Sequence, residues 1–212
     1  MAVITISREL GSGGTEIAQL VTKSLSYKLI DKNHIEHILK QYGLFKFGEL
    51  YDTPAGIWSR LDSDNIQLIQ MLNKAIAAIA RLDHVVILGR GGFAILRDYL
   101  NVLNVRIQAP FAYRAKNIMQ IENITDPKIA AERVADNDHV RERFIQTFYN
   151  VECDSAGWFN IVIDTSRIPV NTAVQWIVDA AKQLPVPDQT GLTTQDIEVD
   201  PVMAKVIADL DV

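Results

Sequence analysis

The chain has 212 residues, of which 48% are apolar and 22% are charged, and its formal net charge is −5. That apolar share is sufficient for a folded core, and the acidic balance argues against a broad nucleic-acid-binding face while allowing a local cationic pocket. The single cysteine, Cys153, excludes an intramolecular disulfide and a cysteine-rich zinc site.

Strand-like and helix-like segments alternate along the chain. Apolar runs predict strands at 2–6, 27–30, 85–88, 104–108 and 160–163. Helical spacing of apolar residues predicts helices at 15–25, 33–42, 63–82, 111–122, 127–149 and 169–183, with an irregular segment at 44–62. This alternation favours an α/β fold in which a parallel sheet is covered on both faces.

The end of the chain differs from the rest. Residues 185–201 are polar and contain three of the seven prolines, which predicts an extended connector. A short helix begins near Pro201, with Val202, Val206, Ile207 and Leu210 on one side. A helix this short is unstable alone, so we expect it to dock on the body or on a second subunit, as in a homodimer formed through the tail.

Targeting and membrane segments are not evident. No stretch approaches the ~18 consecutive apolar residues of a membrane span, and residues 1–6 lack the length and charged leader of a signal peptide. We therefore expect a cytoplasmic protein without a membrane partner, and one free thiol is compatible with a reducing compartment.

The glycine-rich turn after the first strand has the setting of a phosphate-binding loop. The P-loop pattern is Gly, four residues, Gly, Lys, then Ser or Thr. Gly13 occupies the second Gly position and Thr15 the hydroxyl position that reaches Mg²⁺, but Arg8 replaces the first Gly and Gly14 replaces the Lys. Arg8 is a candidate substitute for the missing cation. The alternative, a plain strand-to-helix turn, remains open at this point.

Four segments together resemble one family. They are ITISRELGSGGTEIA at 4–18, YKLIDKNHI at 27–35, VVILGRGGFAIL at 85–96 and IDTSR at 163–167. In this order and spacing they resemble the cytidylate-kinase-like family, a branch of the P-loop nucleoside monophosphate kinases, over roughly residues 3–183. The resemblance implies a three-layer fold with a five-stranded parallel sheet in the order 2-3-1-4-5. It also implies a kinase-like domain at 1–184 with a lid near 111–150, and leaves 185–212 as a separate tail.

The resemblance also implies a donor site and an acceptor site. ATP would lie over the loop formed by Gly11, Ser12, Gly13, Gly14 and Thr15, with Mg²⁺ held through Thr15. A small anionic nucleotide, the monophosphate acceptor, would lie between the segment after the second strand and the GRG turn.

Three positions match family residues that hold the acceptor. Arg90 matches an arginine that holds the nucleotide phosphate, although Gly91 replaces an aspartate beside it. Asp138 and Arg141 match an Asp-x-x-Arg pattern in which the carboxylate accepts from the cytosine amino group or the sugar and the arginine holds phosphate. Val134 stands where the family has another lid arginine, and Arg133 is its neighbour.

These comparisons give a set of candidate residues, each with a structural alternative. The catalytic candidates are Arg8, Arg114 and Arg141, and the substrate-binding candidates are Asp31, Arg90 and Asp138. The alternatives are a helix cap at Asp31, a carbonyl cap at Arg90, a surface salt bridge at Arg114, and a local ion pair between Asp138 and Arg141.

Two functions remain open from the sequence. The first is ATP-dependent phosphoryl transfer to a nucleoside monophosphate, CMP-like, or to a similar small acceptor. The second is a non-catalytic nucleotide-binding or regulatory protein that has kept the fold but lost the P-loop lysine.

Overall fold

The computed structural model describes residues 2–44, 63–184 and 191–209. Five strands lie in these ranges: β1 (Val3–Arg8), β2 (Lys28–Ile30), β3 (Val85–Leu88), β4 (Val102–Gln108) and β5 (Ile161–Asp164). Eight α-helices accompany them in the described ranges: α1 (Gly14–Leu25), α2 (Lys32–Gln41), α3 (Ser63–Ala80), α4 (Gly92–Ile95), α5 (Phe111–Ile121), α6 (Pro127–Tyr149), α7 (Val170–Gln183) and α8 (Pro201–Ala208).

The five strands form one parallel sheet in the order β2-β3-β1-β4-β5, which confirms the expected topology. β1 lies at the centre, where Ile4 pairs with Val86 on one side and Ser7 pairs with Arg106 on the other. Because all strands run the same way, their carboxyl ends meet at one edge, where ligands bind in open α/β sheets.

The two faces of the sheet are covered by different helices. Helices α1 and α7 cover one face, and their buried residues include Ile17, Val21 and Ile177. Helices α2, α3 and α6 cover the other, and their buried residues include Ile35, Leu72 and Phe144. A parallel sheet buried on both faces explains why the strand segments are so uniformly apolar.

The expected elements differ from the observed ones mainly at their ends. β1 extends two residues beyond the expected 2–6, and β4 begins at Val102 rather than at 104. Helix α6 has the expected bounds because Asp126 accepts from the Lys128 amide and proline opens the first turn. The short helix α4 was not expected. The irregular segment of the sequence lies outside the described residues from position 45 to 62.

Helices α5 and α6 form a helical hairpin with a small core of its own. Ile118, Ala130 and Val134 are buried together there, and Leu10 from the loop after β1 packs against them. The hairpin corresponds to the segment expected to form the lid. Val134 is fully buried in this core, so a charged side chain at that position would have no space in the hairpin.

The tail from 191 to 209 docks on its own chain. Met203 and Ile207 of α8 are buried in the same core cluster as α2 and α3. Thr194 is fully buried and exchanges hydrogen bonds with Asn101, at 2.8 and 2.9 Å. Among the residues described, no helix has the length and apolar character needed to cross a bilayer.

Candidate functional site

A cavity of about 150 Å³ opens at the carboxyl edge of the sheet, between the ends of β1, β3 and β4 and the helical hairpin. Its charged lining is rich in arginine: Arg8, Arg90, Arg106, Arg114 and Arg141. Four carboxylates share the lining: Glu9, Asp138, Glu142 and Asp154. The structure thus brings together five of the predicted site residues, namely Arg8, Arg90, Arg114, Asp138 and Arg141.

The loop from Gly11 to Gly14 leads directly into α1. Gly13 is the N-cap, with φ +76° and no side-chain capping bond, and the first amide bonded within the helix is that of Ile17, which donates to the Gly13 carbonyl. The amides of the first turn therefore have no partner within the helix, and Thr15 is exposed in that turn. Such a helix start can hold an anion, so the predicted phosphate loop has suitable geometry.

Hydrogen bonds fix the carbonyls of this loop from several sides. Ser12 Oγ donates to the Glu9 carbonyl at 2.8 Å, and Thr165 Oγ1 donates to the Ser12 carbonyl at 2.8 Å. Asn117 of the hairpin donates to the Gly11 carbonyl at 2.9 Å. Protein side chains therefore bind the backbone carbonyls of Glu9, Gly11 and Ser12, and these bonds define the shape of the loop without a ligand.

Arg8 accounts for the glycine at the usual lysine position. A Cβ on Gly14 would collide with the Cβ of Arg8, so the stem of Arg8 occupies the space beside Gly14. The Arg8 guanidinium extends to the GRG turn, where a Cβ on Gly89 would collide with its Nη1. Arg8 therefore spans from the phosphate loop to the turn that bears Arg90.

Arg114 is held by protein groups on several sides. It is 5% exposed and pairs with Asp138 through two bonds, at 3.0 and 2.8 Å. Its Nε lies 3.1 Å from Glu9 Oε2 and donates to the Ala109 carbonyl at 2.9 Å. The expected surface salt bridge at Arg114 is therefore a buried one. Asp138 is bound to an arginine of the neighbouring helix.

Arg90 and Arg141 also line the cavity, at the turn after β3 and on α6. Arg90 adopts φ +54° in the GRG turn, is 5% exposed, and lies 3.4 Å from Glu36 of α2. Arg141 donates from Nη1 to the backbone carbonyl of Arg8. These contacts tie α2 and α6 to the ends of β3 and β1. Their roles toward a substrate remain predictions.

Asp31 acts as a helix cap rather than as part of the cavity lining. Its carboxylate accepts from the amides of Asn33 and His34, at 2.9 and 3.3 Å, and lies 2.8 Å from His34 Nδ1. Partial burial alone would raise the pKa of Asp31, but the hydrogen bonds from His34 and Asn33 outweigh it and hold the pKa below its ordinary 3.8. These contacts fit the alternative role of Asp31, that of a cap at the start of α2.

Arg133, the neighbour of the absent lid arginine, also lies apart from the cavity lining. Its side chain is 59% exposed and sits 3.5 Å from Glu122 at the end of α5. This places Arg133 on the outside of the helical hairpin, where it does not take the place of the missing arginine.

The sequence reasoning missed two charged residues that line the cavity, the partly buried Glu9 and the buried Arg106. Glu9 Oε1 accepts from Arg106 at 3.1 Å, while its Oε2 accepts the Ala109 amide at 3.0 Å. The signal for Arg106 was a single charged residue within a strand whose other residues are uncharged. Cys153 also lines the cavity, and burial raises the pKa of its thiol to about 11.

The four carboxylates that line the cavity are not grouped as a metal site. Within the ranges 2–44, 63–184 and 191–209, no group of three or more His, Cys, Asp or Glu side chains could hold a metal ion. Thr15 remains the residue suited to Mg²⁺. A metal here would depend on nucleotide phosphates for most of its ligands, which is how Mg²⁺ is held in many phosphoryl-transfer sites.

Solved structures resemble this fold. An uncharacterized protein from Eubacterium ventriosum aligns with a TM-score of 0.67 and 20% identity, over 86% of this chain and 99% of that one. Shikimate kinase from Bacteroides thetaiotaomicron aligns with a TM-score of 0.52 and 12% identity, over 85% of this chain and 98% of that one. At these identities the likeness shows a shared kinase fold.

Sequence comparison supplies the family. Cytidylate kinase from Methanosarcina barkeri is 24% identical over 167 residues, covering 77% of this chain and 87% of that protein. Cytidylate kinase from Methanocaldococcus jannaschii is 22% identical over 184 residues, covering 86% and 98%. The model of the cytidylate kinase-like family matches residues 3–167. The chain, with its P-loop kinase fold and arginine-lined cavity, therefore belongs to the cytidylate kinase-like family.

Proposed function

We propose that this protein transfers the γ-phosphoryl group of ATP to a nucleoside monophosphate, with CMP as the first acceptor to test. The arrangement of Arg8 and Gly14 carries the proposal. The cation missing from the loop is matched by a cation on the preceding strand, and the glycine leaves space for it. Arg8 would thus compensate for the lysine that is absent at Gly14.

Arg8 is suited to stabilise the transferred phosphoryl group. Its stem lies beside Gly14 of the phosphate loop, its guanidinium reaches Gly89 of the GRG turn, and the residue lines the cavity. Fixed cations at that point stabilise charge that develops during transfer, and such electrostatic contributions are commonly worth ~10²–10³ in rate.

The donor side rests on the loop and on the first turn of α1. The first-turn amides and the exposed Thr15 hydroxyl would receive the ATP phosphates and their Mg²⁺. When bound, Mg·ATP supplies the phosphoryl group and screens its charge. The protein contributes a loop whose shape is fixed by Ser12, Thr165 and Asn117.

The acceptor side rests on Arg90 and Arg141. Both line the cavity next to Arg8 and lie on the side of the sheet covered by α2 and α6. A phosphate acceptor is already anionic, so the reaction needs orientation and charge neutralisation more than a general base. The arginines that line the described part of the cavity are consistent with a site that orients and neutralises phosphates.

A coupled assay with Mg·ATP and each nucleoside monophosphate tests the proposal. Arg8→Met should lower kcat by about 10² or more while leaving the unfolding midpoint nearly unchanged. Arg143→Met is the matched control, because Arg143 is exposed on α6 and lies outside the cavity lining. Absence of turnover with every acceptor at high enzyme concentration would overturn the proposal.

The second candidate function is nucleotide binding without catalysis. Gly91, in place of the expected aspartate, favours it, as does Asp138, because both oxygens of its carboxylate already accept from Arg114. Calorimetry separates the two functions. Tight binding of ADP or ATP without turnover would support the second, whereas turnover that depends on Arg8 supports the first.

A further inference from the structure

Arg106 is a buried cation of the cavity that belongs to none of the phosphate-binding motifs. It lies in β4 between Val105 and Ile107, both of which are buried in the core beneath α1. Since side chains alternate along a strand, Arg106 is on the face of the sheet opposite α1. It is 7% exposed and lines the cavity beside Arg141.

The Arg106 guanidinium is hydrogen-bonded through Nη2, whereas its other nitrogens have donor hydrogens without an acceptor among the described residues. Nη2 donates to Glu9 at 3.1 Å and to Asp154 at 2.7 Å. Nε has no acceptor among the described residues, and no hydrogen bond joins Nη1 to any of them. The guanidinium carbon lies 5.9 Å from the Phe159 ring centroid. A buried arginine with unused donors beside a cavity is suited to an anionic ligand.

The two carboxylates that hold Arg106 differ in how firmly they are fixed. Glu9 is 18% exposed and is also bound by Arg114 and by the Ala109 amide. Asp154 is 75% exposed and lies in a turn after α6. Because the Asp154 carboxylate is largely in solvent, a phosphate could replace it at small cost, whereas Glu9 would stay in place.

We propose that Arg106 binds the phosphate of the acceptor, with Glu9 as its positioning residue and Asp154 as a displaceable counter-ion. This inference rests on the proposed function and deepens it by assigning a residue to the acceptor side. We assign Arg106 to the acceptor phosphate and not to the ATP phosphates because it lies on the face of the sheet opposite α1.

Calorimetric titration with CMP, in the absence of ATP, tests the assignment. Arg106→Met should weaken CMP binding by about tenfold to a hundredfold, and Arg106→Lys should restore part of the loss. ADP affinity should stay within about twofold in both variants, because α1, whose first turn would receive the donor phosphates, packs on the opposite face of the sheet. A role confined to packing would lower both affinities together. Arg143→Met is again the control.

Asp154→Asn provides a second variant at an exposed position, where loss of folding is not expected. Removing the competing carboxylate should strengthen CMP binding by a few-fold and leave the affinity for cytidine, which has no phosphate, unchanged. Unchanged or weaker CMP binding by Asp154→Asn would overturn its role as a displaceable counter-ion.

The outcomes distinguish this inference from the proposed function. If the wild type turns over a monophosphate and Arg106→Met keeps the wild-type CMP affinity and acceptor KM, the Arg106 assignment alone is overturned. If the wild type neither binds CMP nor turns over any monophosphate, both are overturned.

Discussion

Gly11→Ala tests whether the phosphate loop and the helical hairpin hold each other in place. Gly11 has φ +80°, and a Cβ there would lie 2.5 Å from the backbone oxygen of Arg114. That oxygen cannot move away by side-chain rotation, and Arg114 is itself fixed by Asp138 and Glu9. We expect a loss of about 1–2 kcal/mol from the left-handed backbone and about 1–3 kcal/mol from the collision.

Gly43→Ala is a matched control for the backbone effect. Gly43 has φ +77°, and a Cβ there would meet nothing within 4 Å, so only the conformational part of the loss should remain. Urea unfolding of both variants gives the two free-energy losses directly. Equal losses, within about 0.5 kcal/mol, would refute the close packing of Gly11 against Arg114.

Three further predictions concern sites around the body of the fold. Asp31→Ala should cost about 1 kcal/mol as a lost helix cap. Because the folded pKa of Asp31 lies below 3.8, its contribution is complete above that pH and is lost on further acidification, so wild-type and variant stabilities measured by urea unfolding should converge there. At pH 8 the Cys153 thiol, with its pKa raised by burial from 9.0 to about 11, should react with iodoacetamide about a hundredfold more slowly than in the unfolded chain. Asn101→Ala removes the acceptor of the buried Thr194 amide, although the Thr194 hydroxyl keeps its bond to Asp83, so it should cost about 1–3 kcal/mol and speed proteolysis within 191–209.

The sheet and most helices could be predicted because their signals are local. The run at Val85–Leu88 ends in glycine, and the run at Pro127–Tyr149 opens with a capping aspartate and proline. Helix α4 was missed because Gly92–Ile95 is only four residues long, too short to display a helical period.

The candidate site was less predictable because its contacts join distant parts of the chain. The motif positions of Arg8, Arg90 and Arg141 could be read directly, and all three line the cavity. The bond between Glu9 and Arg106 joins residues 97 positions apart and depends on the register of β1 with β4. No local pattern encodes such a pairing.

The pairing of Asp138 shows the same limit. Its spacing from Arg141 leaves a local ion pair as the structural alternative, because residues three apart share a helix face. Its carboxylate instead binds Arg114 of the preceding helix through both oxygens, a contact set by how α5 and α6 pack. Tertiary packing therefore decides which arginine the carboxylate binds, and helical spacing alone does not.

The most direct test of the central claim is the initial rate of ADP formation from Mg·ATP and CMP, measured for the wild type, Arg8→Met and Arg143→Met. We expect CMP-dependent turnover that falls by about 10² or more in Arg8→Met and is retained in Arg143→Met. Turnover that is unaffected by the loss of Arg8, or no turnover with CMP or any other monophosphate, would contradict it.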